Sequence, residues 1–480
     1  MTITSQARRA SGYDTAYADF VQRHPGYDAG GRLDALRARD FGRLVRSGDV
    51  YLDYTGGGLY AESLVQAHAA LLASHVFGNP HSANPSSAAM TARVESVRRA
   101  ILAHFGADPA EYLVIFTANA SGALKLVAES YPFAAGSTCL LSYDNHNSVN
   151  GIREYAHAGG SRVRYAPVRP PDMRLDEAAL ARLLAAPEPT GPRLFAYPAQ
   201  SNFSGVLHPL TLVARAQEHG WHVLLDSAAF APTHALDLSA VRPDFVSVSF
   251  YKMFGYPTGV GALLARRSAL ASLRRPWFAG GTISYASVIE PRHDLHAGAE
   301  AFEDGTLNYL ALPAVEAGLA RLAGGHLEAV HARVMSLAAW TLERFAALRH
   351  PNDRPLVTVY GPTDTVGRAG TIAFNLLDDA GRLIDHLEVE QRASARRISL
   401  RTGCFCNPGV GEVALGITRD DLARCFASAE RMTIDTFRGC LVDKGSGAVR
   451  VSFGEASTFA DAHALLQLVQ SFRAGGAGSG

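Results

Sequence analysis

Several features are scarce in this 480-residue sequence, and each absence excludes a class of protein. Only five cysteines are present, and their uneven spacing does not indicate a disulfide framework. No apolar run is long enough to span a bilayer, and the polar N-terminus lacks the apolar core of a signal peptide. Lys plus Arg and Asp plus Glu number 45 each, so no excess charge attracts nucleic acid or an anionic membrane. We therefore expect a soluble, cytoplasmic protein that binds neither nucleic acid nor a membrane.

The sequence does contain apolar strands that alternate with amphipathic helices up to about residue 266. Strands are predicted at 113–116, 138–141, 194–197, 223–225, 245–248 and 260–264. This alternation indicates an α/β fold whose mainly parallel sheet is covered on both faces. A helical connector at 316–348 leads to a smaller α/β pattern, with strands at 357–360, 371–376, 398–401 and 449–453. The predicted divisions are an N-terminal arm (1–50), a large domain (51–320), a small C-terminal domain (321–474) and a flexible tail (475–480).

Lys252 follows the apolar run at 245–248 and precedes a glycine-rich segment. Burial among the neighbouring aromatic residues would lower its pKa and leave a free amine. Such an amine forms Schiff bases with carbonyl compounds and with pyridoxal phosphate. A lysine at a strand end is also an ordinary rim residue, so its neighbours must decide between the two interpretations.

Polar residues follow the other predicted strands, where the ligands of parallel sheets bind. Ser121 opens a helix whose N-terminus suits an anion, although a plain N-cap is the alternative. His146 either lies on an aromatic ring or is a hydrogen-bonded loop histidine. Asn202 either donates to an oxyanion or marks a turn. Asp226 either meets a cation, such as a protonated pyridine nitrogen, or caps a helix.

Two cysteines, Cys404 and Cys406, lie in a Gly/Asn/Pro loop beside Arg401. A C-x-C pair occurs in zinc sites, but no second pair with ligand spacing accompanies it, so no metal is predicted. An exposed thiol beside an arginine favours the nucleophilic thiolate. The alternative, a buried structural thiol, suits Cys139 inside a strand better than this loop.

In this order and spacing, the segments resemble the class V (fold type I) pyridoxal-phosphate enzymes, and more narrowly the desulfurase domain of molybdenum cofactor sulfurases. The resemblance covers roughly residues 24–455. It rests on Tyr51-Leu52-Asp53, Gly78-Asn79-Pro80-His81-Ser82, Asn202-Phe203-Ser204-Gly205, the stretch 249–259 and the loop 403–409.

The resemblance implies pyridoxal 5'-phosphate as cofactor and assigns residues to its ring. Lys252 would hold it as a Schiff base, and Asp226 would pair with the pyridine nitrogen. His146 would stack on the ring, and Asn202 would contact the ring hydroxyl.

The resemblance also assigns residues to the phosphate and to the substrate. Thr282 would reach the phosphate of the neighbouring subunit, since these enzymes are usually homodimers. Arg450, with Arg401 nearby, would bind the substrate carboxylate as a fork. The phosphate ligands within the chain would be Ala120, Ser121 and Ser249.

The implied reaction is that of a cysteine desulfurase. The pattern Arg-Thr-Gly-x-x-Cys selects Cys406 rather than Cys404 as nucleophile. L-cysteine would become L-alanine, and the sulfur would stay on Cys406 as a persulfide until an acceptor protein or small molecule collects it. Two alternatives stay open. One is another class V enzyme acting on a small amino acid (a C–S lyase, epimerase or aminotransferase, including one of specialised metabolism). The other is a cofactor-free scaffold.

The sequence departs from these sulfurases at several points. Gly411 stands where a further cysteine is common, Asn119 replaces the usual glycine of the phosphate turn, and Tyr54 replaces a common histidine. The sequence also ends soon after the small domain. We therefore expect the desulfurase chemistry without the C-terminal domain of these sulfurases.

Overall fold

The structure, a computed structural model, describes residues 12–27, 31–186, 191–427, 431–441 and 444–473. The predicted tail at 475–480 lies outside these ranges. No helix among the described residues combines the length and the apolar composition needed to cross a membrane.

Two successive sets of elements form the chain. The first set is α1 (Tyr13–Arg23), α2 (Arg32–Asp40), α3 (Gly42–Ser47), β1 (Val50–Tyr51), α4 (Glu62–Ser74), α5 (Pro85–His104), β2 (Tyr112–Thr117), α6 (Ala120–Ser130), β3 (Thr138–Ser142), α7 (Asn147–Asn150), α8 (Ile152–Ala158), β4 (Arg162–Ala166), β5 (Val168–Arg169), β6 (Arg174–Leu175), α9 (Glu177–Ala185), β7 (Arg193–Pro198), α10 (Leu212–Glu218), β8 (His222–Asp226), β9 (Phe245–Ser249), α11 (Phe250–Phe254), β10 (Gly261–Arg266), α12 (Arg267–Leu270), β11 (Ile283–Ala286), β12 (His293–Leu295) and a 3-10 helix (Gly298–Phe302). The second set is α13 (Leu312–Leu322), α14 (His326–Ala347), β13 (Val357–Tyr360), β14 (Thr371–Leu376), α15 (His386–Ala395), β15 (Ile398–Ser399), β16 (Arg401–Gly403), α16 (Pro408–Ala414), α17 (Arg419–Ala427), α18 (Ile434–Cys440), β17 (Ala448–Ser452) and α19 (Phe459–Gln470).

A seven-stranded sheet in the order β2-β10-β9-β8-β7-β3-β4 forms the centre of the first set. The neighbours from β9 to β4 pair in parallel, whereas β10 runs antiparallel to both β9 and β2. The six predicted strands are all present, and the α/β class with a mainly parallel sheet is confirmed. The seventh strand, β4, was missed because its two arginines interrupt the apolar pattern.

The second set builds a four-stranded antiparallel sheet in the order β13-β14-β17-β16. The described part of the predicted N-terminal arm is largely helical, and its first part packs on the core of this sheet. Phe20 and Tyr27 contact each other there, and Phe20 also contacts Trp340 and Phe459. Phe41 and Leu44, by contrast, pack in the core of the large sheet. The limits drawn at residues 50, 320 and 474 stay predictions.

One disulfide joins Cys425 in α17 to Cys440 in α18, a pairing that the cysteine spacing did not indicate. The two cysteines are 15 residues apart, and only the folded helix pair brings their sulfur atoms together. The free cysteines among the described residues are Cys139, Cys404 and Cys406. The bond lies in the small lobe and leaves both loop cysteines free.

A buried ion pair holds the strand that leads into the predicted phosphate turn. Arg98 of α5 donates two hydrogen bonds to Glu303, with N–O distances of 2.8 and 2.7 Å. Glu303 also accepts from the Phe116 N–H of β2 at 2.7 Å. Both side chains are buried, so neither charge can turn to water instead.

Replacing Glu303 by alanine is expected to lower the free energy of unfolding by about 3–5 kcal/mol, because Arg98 loses its buried partner and keeps only the exposed carboxylate of Glu95. Urea unfolding measures the change. The matched control is Glu388→Ala, which removes the half-exposed partner of Arg392 in α15. That variant is expected to cost less than about 1 kcal/mol. Equal losses in the two variants would contradict the role given to Glu303.

Candidate active site

A cavity of about 230 Å³ lies at the carboxyl edge of the large sheet. Its lining includes seven residues predicted from five separate segments: Ala120, Ser121, His146, Asn202, Asp226, Ser249 and Lys252. These residues meet because β2, β3, β7, β8 and β9 all end at the same edge, where parallel sheets bind ligands. The lining also includes four polar residues that the sequence patterns did not assign to the site: Asn119, Ser148, Gln200 and Tyr251.

Lys252 lies on the short helix α11, directly after β9. Burial lowers its pKa; the carboxylates of Asp226 and Asp53 oppose this shift in part, and the Arg450 charge adds to it. Among the described residues, no group accepts a hydrogen bond from its Nζ at hydrogen-bonding distance. The amine is therefore available for a covalent bond to a carbonyl group.

Apo protein carrying Lys252→Met is expected to be more stable than apo wild type at neutral pH. The folded pKa of Lys252 lies below the ordinary value of 10.5. Between these two values the unfolded chain binds a proton that the folded chain does not, so wild-type stability rises with pH across this window. The advantage of the variant should therefore shrink between pH 7 and pH 10 in urea unfolding. A difference that does not change with pH would contradict the lowered pKa.

Asp226 presents one carboxylate oxygen to the cavity. Its Oδ1 accepts hydrogen bonds from Ala228 N at 3.0 Å and from Ser247 Oγ at 2.8 Å. In the part of the chain that the structure describes, Oδ2 has no such partner and no cationic side chain pairs with the carboxylate. A buried carboxylate without a cation is costly. The site therefore fits a ligand that brings a positive charge, such as a protonated ring nitrogen.

The predicted phosphate turn is the N-terminus of α6. The Asn119 side chain caps this helix by accepting from Gly122 N at 2.9 Å. The backbone at Asn119 is extended, with φ −175°, so the turn needs no glycine and this departure from the family pattern is harmless. The N–H groups of Ala120 and Ser121 lie in the first helical turn, which has no intrahelical acceptors and attracts anions. This end of the cavity fits a phosphate.

Gly261 allows β10 to approach the phosphate turn closely. A Cβ atom at this position would lie 2.6 Å from the backbone carbonyl carbon of Asn119. Any larger residue would therefore displace the turn. The hydroxyl of Ser121 also contacts that of Ser148 at 2.5 Å, which joins the turn to the short helix α7 after β3.

The side-chain amides of Asn202 and Gln200, which follow β7, differ in whether all of their polar atoms have hydrogen-bond partners. Asn202 donates to Phe405 O at 2.7 Å and accepts from Asn407 Nδ2 at 3.0 Å, so both ends of its amide contact the cysteine loop. Gln200 is buried and donates to Thr371 Oγ1 at 3.3 Å, while its Oε1 has no partner among the described residues. Contact between Asn202 and a ring hydroxyl stays a prediction. Gln200, which the sequence patterns did not indicate, has the amide oxygen that still lacks a hydrogen-bond partner.

Arg450 and Arg401 lie opposite each other on β17 and β16 and share one carboxylate, that of Asp53. Asp53 accepts from Arg450 Nη2 at 2.9 Å and from Arg401 Nη2 at 2.5 Å. Arg450 also donates to Asn202 O at 2.7 Å, and its buried Nε has no partner among the described residues. Burial lowers the pKa of Arg450. Arg450 thus keeps an unpaired N–H, but neither arginine is among the residues that line the cavity, and binding of a substrate carboxylate by them stays a prediction.

Cys406 is close enough for its charge to act on the basic groups of the site. A Cys406 thiolate raises the pKa of Lys252, Arg401 and Arg450. The thiol is also exposed, as is that of Cys404. Cys406 therefore combines access from solvent with proximity to the cavity.

Thr282 does not line the cavity of its own chain. It is buried, and its hydroxyl both donates to Ala279 O and accepts from Ala279 N. The role predicted for it concerns a neighbouring subunit, and it stays a prediction.

The sequence profile of the aminotransferase class-V family matches residues 50–465. The chain belongs to this family. It is 41% identical over 469 residues to a molybdenum cofactor sulfurase from Bos taurus, covering 92% of this chain and 52% of the relative. The human protein of that name is 39% identical, with coverages of 92% and 51%. The chain thus spans about half the length of the curated relatives it matches, and the family resemblance inferred from its motifs is confirmed.

Solved structures of the class V fold superpose on most of the chain. An apo cysteine desulfurase from Thermococcus onnurineus NA1 gives a TM-score of 0.76 at 22% identity, covering 91% of this chain and 97% of that one. A cysteine desulfurase from Escherichia coli gives 0.72 at 20% identity, with coverages of 92% and 98%. A cystine C–S lyase complex gives 0.66 at 18% identity, with coverages of 90% and 100%. These likenesses confirm the predicted fold.

Proposed function

We propose that this chain is a pyridoxal-phosphate-dependent cysteine desulfurase. It removes sulfur from L-cysteine, releases L-alanine and holds the sulfur as a persulfide on Cys406. The observation that carries the proposal is the Lys252 amine and the unpaired Asp226 carboxylate in one cavity, with the Cys406 thiol near enough for its charge to act on Lys252. The identity shared with molybdenum cofactor sulfurases supports it.

Pyridoxal phosphate fits the polar groups of the cavity. Lys252 suits its aldehyde, Asp226 its ring nitrogen, and the N-terminus of α6 its phosphate. Gln200 Oε1, which has no partner among the described residues, and the His146 ring would offer further contacts to the cofactor from the lining of the same cavity. When bound, the cofactor delocalises the negative charge that develops at the substrate Cα.

The residues of the chain bind the substrate, move the proton and accept the sulfur. Arg450 binds the substrate carboxylate through its free donor. Lys252, whose lowered pKa favours the neutral amine, takes the proton from Cα. The Cys406 thiolate then attacks the substrate sulfur, so an S–S bond forms as the C–S bond breaks. The electron pair of the broken bond stays with the carbon fragment, which is protonated and leaves as alanine.

A single turnover tests this function. The protein loaded with cofactor is mixed with one equivalent of L-cysteine, and the Cys406 peptide is then analysed by mass spectrometry. We expect one added sulfur atom on Cys406 for each alanine released. Pyruvate and free sulfide without alanine would instead favour a C–S lyase, the reaction named for one structural neighbour.

We also propose that the chain works in the cytoplasm and passes its sulfur to an acceptor protein or small molecule. The free thiols of Cys404 and Cys406 fit that compartment, whereas the Cys425–Cys440 disulfide is of a kind rarely found there. Because Cys406 is exposed, an acceptor can reach the persulfide without opening the fold. Counting free thiols by alkylation in cell extracts tests the compartment.

We further propose a homodimer whose contact includes the hairpin of β11 and β12. Its tip and flank expose Trp277, Tyr285, Val288 and Ile289, with Ile289 94% accessible. Clustered exposed apolar residues of this kind mark protein interfaces. The same contact would bring Thr282, just before the hairpin, to the neighbouring phosphate.

Ile289→Asp is expected to convert the dimer to a monomer, because it puts a charge into the apolar contact. Light scattering after size-exclusion chromatography measures the mass. The control is Val366→Asp, at a valine that is 69% accessible in the small lobe. A dimer that persists in Ile289→Asp would show that the hairpin is not part of the interface.

A further inference from the structure

A buried polar cluster that the proposed chemistry does not use lies behind the cysteine loop. Asp144 follows β3, and His208 ends the turn that follows β7; both are buried. His208 Nε2 lies 2.9 Å from Asp144 Oδ2. The other oxygen, Asp144 Oδ1, accepts from Ser201 Oγ at 2.8 Å and from Asn407 Nδ2 at 2.7 Å.

Asn407 connects this cluster to the loop. It is buried, directly follows Cys406 and caps α16 by accepting from Val410 N. Its amide also donates to Asn202 Oδ1 at 3.0 Å. The position of Asn407 is therefore set from the large lobe, although it lies 263 residues from Asp144 in the chain.

The loop needs this support because its backbone is strained. Phe405 and Cys406 both have a φ of 55°, a left-handed conformation that residues other than glycine rarely adopt. Such conformations persist only where the surroundings hold them. Asn202 Nδ2 holds Phe405 O, and Asn147 N holds Cys406 O at 2.7 Å.

We propose that Asp144 and His208 form a positioning pair that holds the Cys406 thiol at the cavity by way of Asn407. An ionised carboxylate accepts a stronger hydrogen bond than a neutral group, which suits Asp144 to fixing the Asn407 amide. His208 occupies the second oxygen and so prevents the carboxylate from rotating away from Asn407. The catalytic benefit rests on the proposed desulfurase function, whereas the position of the thiol does not.

Two His208 variants and one control test the pair. His208→Phe removes the donor to Asp144, and His208→Gln keeps an N–H close to the position of Nε2. The control, His326→Phe, breaks a comparable buried pair, since His326 Nε2 lies 2.8 Å from Glu455 Oε1, away from the loop. Three readouts apply to each variant: the alkylation rate of Cys406 relative to Cys404 with iodoacetamide, kcat and KM for L-cysteine, and the absorption of the bound cofactor.

In His208→Phe we expect kcat to fall about tenfold or more, with KM and cofactor absorption little changed, because small misplacements of reacting groups cost this much. The ratio of Cys406 to Cys404 alkylation should change about threefold or more in the same variant. His208→Gln and His326→Phe should keep both values near wild type. Unchanged values in folded His208→Phe, or equal changes in the Phe and Gln variants, would overturn the proposal.

Should His208→Phe fail to fold, Asp144→Asn replaces it under the same criteria, because it keeps the side-chain volume and removes the charge. The alkylation ratio separates this proposal from the proposed function. A wild-type protein that forms no persulfide would refute the desulfurase, while the ratio would still report whether the pair positions Cys406.

Discussion

A Lys252→Ala variant is expected to hold no covalently attached pyridoxal group and to lose roughly 10²–10⁴-fold or more of its cysteine turnover. Two functions disappear together in this variant. The amine that binds the aldehyde is gone, and so is the base that takes the Cα proton. The lowered pKa of Lys252 makes it suited to both, because it favours the uncharged amine.

Peptide mapping after borohydride reduction measures the attachment without relying on activity. The sequence has three lysines, Lys125, Lys252 and Lys444, so the map is simple. The pyridoxyl group should lie on Lys252 in the wild type. Lys125→Ala is the matched control, since Lys125 is exposed and forms an ion pair with Glu129. A pyridoxyl group on Lys125 or Lys444, or full turnover in Lys252→Ala, would refute the assignment.

The sequence predicts the cavity well because a parallel sheet brings its strand ends to one edge. Each of Ser121, His146, Asn202, Asp226 and Lys252 follows a strand whose apolar run is visible without the structure. Local patterns thus suffice for residues whose position depends on one strand and its order in the sheet.

Contacts between distant segments could not be predicted in this way. In the sequence Asp53 is visible only as part of the motif Tyr51-Leu52-Asp53, yet it pairs with Arg401 and Arg450, some 350 residues or more further along the chain. Gln200 lies two residues before Asn202 in the sequence. Its role becomes apparent only because the structure shows that both ends of the Asn202 amide are already hydrogen-bonded to the cysteine loop. Such roles depend on which side chains the fold leaves unpaired.

Cys406→Ser is expected to abolish persulfide formation and to lower turnover of L-cysteine roughly 10⁴-fold or more, the scale on which enzymes lose activity without their nucleophile. A serine hydroxyl is not ionised at neutral pH and does not attack sulfur as a thiolate does. The cofactor should still attach to Lys252, since Cys406 takes no part in the cavity lining. Mass analysis of the loop peptide and an alanine assay measure the loss.

Cys404→Ser is the matched control, because its thiol is exposed in the same loop, two residues away. It should keep most of the turnover and still acquire the sulfur on Cys406, whose charge acts on Lys252, Arg401 and Arg450. The reverse result would make Cys404 the nucleophile. Equal, large losses would mean that the two thiols act in sequence, with sulfur passing between them. Unchanged turnover in both variants would exclude a persulfide route and leave a C–S lyase, epimerase or aminotransferase reaction on the same cofactor.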